Sequence, residues 1–263
     1  MRTSRAGTTR NGKRDASSSR DVWKVTPRKV EKRYKEFAYR LLGRPRLLSL
    51  PVPREVPFFA TLLLRRTRRE FGPLTEEQLS TLLWFTSRTL ATTCNPLDGA
   101  QRSSSPRWEH RVTPSAGGRH PVDVIVMQRS DQRRATLALY DPLMHALVPL
   151  VIRERSALTK LEREVSGIVS PGRGLVLWHA TQAMRTHSRY ENGESLVWRD
   201  VGCLVAMTAI VAEAMCLACC PLGFTGHPQL ERALGGDGRL GSAGGCVIGG
   251  RVEEATQANL GER

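Results

Sequence analysis

From Val201 to Cys220 the chain is almost wholly apolar and about long enough to cross a bilayer. Glu213 interrupts the run, and Arg199-Asp200 stand at its mouth. No second span and no aromatic belt accompany it, so the run is expected as a buried core helix over residues 200–219, ended by Pro221. A helix that is hydrophobic all round must be enclosed by the rest of the fold. At 263 residues the chain is long enough to supply that enclosure, as one large domain or two small ones.

The surrounding elements are legible from pattern. Leu74-Thr75-Glu76-Glu77-Gln78 opens a helix: Thr75 caps it, Gln78 completes a capping box, and Leu79, Leu82, Leu83 and Phe85 supply its apolar face. Val122–Gln128 alternates and is β-branched, which predicts a strand, and a hairpin leads to a second over Thr136–Tyr140. Ala146–Leu150, Gly174–His179 and Gly244–Gly249 read as further strands, Ser156–Val165 and Gln229–Leu234 as helices, and residues 92–113 as a polar loop. Helices and strands mixed without a regular β-α-β rhythm predict an α+β fold rather than a doubly wound one.

Charge divides the chain. The net charge is +15, yet the first 70 residues hold 20 lysines and arginines against 6 acids, a net +14, while the rest is nearly balanced. Such a tail could bind nucleic acid or an acidic partner; a solvated basic extension has the same composition. Residues 1–20 lack an apolar segment, so they are expected to be disordered and not a signal peptide. From Val22 to Leu48, Val30, Tyr34, Phe37, Ala38, Leu41 and Leu42 recur at helical spacing and predict one amphipathic helix. Pro45, Pro51, Pro53 and Pro57 then impose an extended connector, which sets an expected boundary between a basic extension (1–56) and a folded domain (57–263).

Two segments of the body suggest a phosphorylated, flat ligand. Arg65-Arg66-Thr67-Arg68-Arg69 places four guanidinium groups and a hydroxyl just ahead of the capped helix, and guanidinium groups bind phosphate by two-pronged hydrogen bonds. A solvated charged turn would look similar. Pro114-Ser115-Ala116-Gly117-Gly118 is small enough for a ring system to lie close to its backbone. Ser188–Glu194 carries Arg189 and Tyr190 into the apolar run, and a tyrosine can hand a substrate a proton or take one. Cys216, Cys219 and Cys220 have no second ligand pair at a zinc-like spacing, so small core residues are expected there and no metal. Free thiols and the lack of a visible secretion signal predict a cytoplasmic protein.

These segments, taken in order, resemble the nitroreductase family of flavoproteins. Four pieces match: Arg65-Arg66-Thr67-x-Arg69-x-Phe71, Pro114–Gly118, Arg199-Asp200-x-Gly202 with its apolar helix, and Ala218-x-x-Pro221-Leu222-Gly223. The likeness covers roughly residues 57–252 and is greatest to the SagB-type branch, which includes azoline dehydrogenases of peptide natural-product pathways. The resemblance implies a central, mostly antiparallel sheet flanked by helices, in an intertwined homodimer that binds flavin mononucleotide (FMN) at the subunit interface. It implies that Arg65, Arg66, Thr67 and Arg69 hold the phosphate and ribityl chain, with Arg251 as a further phosphate contact. Pro114, Ser115, Ala116, Gly117 and Gly118 of the other subunit would line the ring, and Pro221, Leu222 and Gly223 would face its reactive nitrogen. The dehydrogenase branch carries a Lys-Tyr pair where this chain has Arg189-Tyr190, the candidate catalytic residues here. The implied activity is hydride transfer between flavin and a small organic or modified-peptide substrate. Reduction of nitro compounds or quinones by NAD(P)H, and a non-catalytic basic-tailed binding protein, are the alternatives.

Overall fold

The computed structural model describes residues 24–52, 54–93, 108–129 and 134–252. The expected disorder of residues 1–20 lies outside the described residues. In chain order the elements begin with β1 (Thr26–Pro27), β2 (Arg46–Leu47), α1 (Phe58–Leu64), α2 (Glu76–Ser87), β3 (Thr89–Thr93) and β4 (Trp108–Arg111). They continue through β5 (Val122–Arg129), β6 (Ala135–Asp141), β7 (Ala146–Pro149), α3 (Arg155–Ile168), β8 (Leu175–Thr181), α4 (Met184–His187) and β9 (Tyr190–Glu191). The last are α5 (Glu194–Ala214), β10 (Leu217–Pro221), α6 (Gln229–Leu234) and β11 (Gly241–Gly250).

Seven strands form one antiparallel sheet in the order β10-β11-β8-β5-β6-β7-β2. Because side chains alternate across a strand, each central strand feeds two cores. Ile125, Met127, Val176, Trp178 and Val247 face one, which α3 and α6 cover through Leu158, Leu161, Val165 and Leu230. Val124, Val126, Leu175, Leu177 and Ile248 face the other, which α2 and α5 cover through Leu82, Leu83, Val201 and Leu204. This is the α+β arrangement expected: an antiparallel sheet between two helical layers.

The start of α2 follows its sequence signal. Gln78 N–H donates to Thr75 Oγ1 at 3.1 Å, and Thr75 N–H donates back to Gln78 Oε1 at 2.9 Å. Other expectations are corrected. The apolar run is not one helix to Pro221: α5 begins at Glu194 and ends at Ala214, Cys216 turns the chain at φ +54, and β10 follows. β10 then pairs with β11 from Leu217↔Gly250 to Pro221↔Cys246. Uniform hydrophobicity cannot mark the point where a buried helix hands over to a buried strand. α5 is long and apolar enough to span a membrane, yet Val197, Val201, Leu204, Thr208 and Ala212 on it are buried in the fold.

The helix expected over residues 22–48 is absent from the described part of that range. A non-helical strap takes its place, its backbone groups bonded to the body instead of to one another. Lys32 N–H donates to Ser188 O, Leu42 N–H to Pro149 O and Leu48 N–H to His145 O, at 2.8–2.9 Å. Phe37 and Leu48 anchor the strap in the two cores, while Val30 and Leu42 of the supposed apolar face stay exposed. Residues 92–113 are not simply a loop either, since β3 and β4 pair antiparallel from Thr89↔Arg111 to Thr93↔Trp108.

Candidate functional site

Apart from Pro221–Gly223, the site residues named from sequence fall into two groups, one at each end of α5. At its N-terminal end the backbone of Ala116–Gly118 makes a single tight turn with Gly117 at φ +61 and Gly118 at φ +62, the left-handed region that glycine tolerates. Asp200 on α5 fixes this turn: Ser115 Oγ donates to its Oδ2 at 2.5 Å and Ala116 N–H to its Oδ1 at 3.1 Å. Burial pushes the Asp200 carboxyl up, against the lowering effect of those two hydrogen bonds. His120 closes the loop, its N–H donating to Ser115 Oγ at 2.8 Å and its Nε2 lying 2.8 Å from Glu109 O.

Tyr190 meets this loop. A Cβ placed on Gly117 would overlap the Tyr190 hydroxyl, so the absent side chain is what lets the phenol reach the loop backbone. Gly117→Ala is therefore expected to displace Tyr190 and to cost about 1–2 kcal/mol, because an L-residue is also strained at this φ. A urea midpoint equal to that of the parent would refute the contact. Arg189 is engaged elsewhere: its Nη1 donates to Arg28 O of the strap at 2.6 Å.

At the C-terminal end of α5, residues 65–72 run along β10 and β11. Arg68 N–H donates to Cys219 O at 3.0 Å, and Gly72 bridges to Gly250. Glu213 lies beneath, nearly buried, with Arg251 at 2.6 Å and Arg68 at 3.9 Å. Arg65, Arg66, Thr67 and Arg69 on this segment are exposed. Burial raises the Cys220 thiol and Arg69 opposes it, which places the Arg69 charge beside β10. Pro221 ends β10, Leu222 N–H donates to Gly245 O at 2.8 Å, and Gly223 is exposed with nothing within 4 Å of where a Cβ would sit. The arginines can hold a phosphate, and the open backbone at Gly223 leaves room for a flat ring.

A match to the nitroreductase family spans residues 62–250. The chain belongs to the nitroreductase family. Among solved structures, a protein named as a nitroreductase from Ralstonia eutropha JMP134 is similar, with 22% identity and a TM-score of 0.61. The likeness covers 88% of this chain and 99% of that one. The E. coli microcin synthetase McbBCD complex, solved with truncated pro-MccB17 bound, matches at 16% identity and TM-score 0.51, over 81% and 80%. A chain from Desulfovibrio desulfuricans, solved in complex with FMN, matches at 16% identity and TM-score 0.44, over 80% and 98%. No curated protein matches. At these identities the structural likeness is one of fold.

In this nitroreductase-family chain the structure gathers Arg65–Arg69 and Arg251 in one group, and Pro114–Gly118 and Tyr190 in the other; Pro221–Gly223 stand at the far end of β10 from Arg251, since Leu217 pairs with Gly250 and Pro221 with Cys246. The structure does not join the two groups to each other. Asp200 and Glu213 are thirteen residues apart on α5, a rise of about 20 Å. The sequence reading missed Glu213, taken only as an interruption of an apolar run, and the link from Ser115 to Asp200. It also missed the strap contacts to residues 187–191. A wider cleft of about 400 Å³ opens beside the N-terminal end of α5, walled by Glu194, Trp198, His227, Glu231 and Ser242. That volume is within the range of small-molecule sites.

Proposed function

We propose that the protein is an FMN-dependent oxidoreductase that works as a homodimer and acts on a small organic or modified-peptide substrate of azoline type. The observation that carries this reading is the separation of the two residue groups. Each is half of a flavin site, and about 20 Å of α5 lies between them. A two-fold partner laid alongside α5 would set the Arg65–Arg69 half of one copy against the Gly117–Tyr190 half of the other. The surface such a partner needs is present: Phe58, Phe59, Leu63 and Leu64 of α1 and Trp198 of α5 are exposed, with Gly202 and Ala206 making a shallow stripe between helices.

Arg65, Arg66 and Arg69 fix the phosphate by charge-assisted hydrogen bonds, and Thr67 adds a hydroxyl donor. Glu213 offsets Arg68 and Arg251, so the local charge is not so high that any polyanion would bind equally well. The flavin, when bound, supplies the hydride chemistry. In this reading Tyr190 gives or takes the substrate's proton, and Arg189, bonded to Arg28 O, holds the loop that carries it. The 400 Å³ cleft has room for the substrate. Free thiols at Cys203, Cys216, Cys219, Cys220 and Cys246 suit a reducing, cytoplasmic setting.

Purified protein should carry flavin absorbance and sediment at twice 29.2 kDa. Colourless protein that stays apo with added FMN would sink the reading. Arg65→Ala and Arg66→Ala should each weaken FMN binding about tenfold to a hundredfold, since a charge-assisted hydrogen bond contributes about 1.5–3 kcal/mol. Flavin bleaching by NAD(P)H alone would favour nitro or quinone reduction, whereas turnover only with a heterocyclic peptide would favour the dehydrogenase.

A further inference from the structure

One carboxylate of the strap connects the two loops that meet at Tyr190. Glu31 Oε2 pairs with Arg119 Nη2 at 2.5 Å, one residue past Gly118. Its other oxygen accepts from Ser188 Oγ at 3.0 Å, two residues before Tyr190. Ser188 is fully buried and the Arg119 side chain is only 5% exposed. The Arg119 guanidinium also lies over the Trp108 ring at 5.9 Å, a second contact that holds it. Around this centre the strap is sewn to the Tyr190 loop by backbone. Thr26 and Pro27 pair with Glu191 and Tyr190, and Arg28 N–H donates to Arg189 O at 2.7 Å. Arg28 Nη1 reaches Glu191 at 2.7 Å.

We propose that Glu31 is a positioning residue that holds the Tyr190 hydroxyl against Gly117. Its role follows from the chemistry of its partners. Arg119 stays charged at any working pH, and a buried guanidinium stripped of its counter-charge is strongly disfavoured. Without the Glu31 carboxylate, Arg119 must seek water, and Gly118 and Gly117 move with it. Ser188 loses one of its two acceptors in the same step and keeps the Arg185 carbonyl at 2.9 Å, so the tie from the strap to the segment leading to Tyr190 is cut. This reading rests on Tyr190 as the proton-handling group of the proposed reaction, but its test does not depend on that.

The full chain carries four tyrosines, so fluorotyrosine labelling gives four fluorine NMR resonances, each assigned by a Tyr→Phe variant. In Glu31→Gln the Tyr190 resonance should shift or broaden by more than its linewidth, and in Ser188→Ala by a smaller but still resolved amount. Glu31→Asp, which keeps the charge but reaches less far, should restore part of the parent position. Tyr140, buried 2.8 Å from His145 Nδ1, should not move. A Tyr190 resonance that stays in place in folded Glu31→Gln overturns the proposal. So does equal movement of Tyr140, which would mark a general loss of structure. If Glu31→Gln does not fold, an unmoved Tyr190 in Ser188→Ala overturns it. Unchanged flavin-linked turnover in Tyr190→Phe would remove the catalytic role of Tyr190 while leaving the positioning result intact.

Discussion

Between pH 7 and pH 4 the protein should lose several kcal/mol of stability, because the fold keeps two histidines neutral. Burial pulls His179 down from 6.5 to about 4, and it pulls His120 to about 4 with help from the Arg111 charge. As pH falls, the unfolded chain takes up these protons first, so the stabilisation is complete above about 6.5 and is lost down to about 4. Holding a histidine from 6.5 down to about 4 is worth about 3 kcal/mol for each residue. Two such losses are a large part of the roughly 5–15 kcal/mol that holds a domain folded. Asp123 acts lower. Burial would raise its carboxyl, but Arg185 at 2.7 Å holds it below its ordinary value, so its contribution is lost only at more acid pH. Urea midpoints measured across this window should fall, and His179→Gln should flatten the curve by about half. A flat parent profile would refute the assignment. The decline also reaches the site. A carbonyl only accepts, so His120 Nε2 must be the protonated nitrogen that donates to Glu109 O. Charging His120 leaves this hydrogen bond in place but sets a buried positive charge near Arg111, beside the loop that seats Gly117.

What the sequence disclosed depended on how local the cause was. The α2 start was legible because Thr75 and Gln78 satisfy each other three residues apart. β5 and β6 were legible because alternation is a property of neighbours. The joint between α5 and β10 was hidden, since a left-handed Cys216 inside an unbroken apolar run leaves no compositional mark. The strap was misread because Phe37 and Leu48 have helical neighbours in sequence but separate destinations in the fold. In the site, the residue types for phosphate and for close backbone approach could be named from sequence. Their grouping could not: Ser115 finds Asp200 eighty-five residues away, and Glu31 finds Ser188 at a separation of 157. Arg251 was named as a phosphate contact without its partner Glu213, whose carboxylate takes up part of that charge.

Gly249→Ala should detach the arginine segment from the sheet. A Cβ at Gly249 would stand 2.7 Å from Phe71 Cβ and 2.8 Å from Gly72 O, both too close for any real contact and neither the tip of a flexible side chain. Phe71 is 6% exposed within the core beside Ala218 and Cys220, and Gly72 bridges to Gly250. Either the backbone of 71–72 lifts or β11 bends, and overpacking of this kind costs about 1–3 kcal/mol. If Phe71 leaves its seat the loss approaches that of a large-to-small core substitution, about 3–5 kcal/mol. Because Arg69 is two residues from Phe71, the phosphate-binding guanidinium groups shift with it, and FMN binding should weaken together with stability. Gly167→Ala on α3 is the matched control. Nothing lies within 4 Å of that position, and exchanging a helical glycine for alanine should stabilise by up to about 1 kcal/mol without touching FMN. If Gly249→Ala matches the parent in urea midpoint and FMN titration, residues 65–72 are not docked on β11, and the arginines lose the frame that aims them.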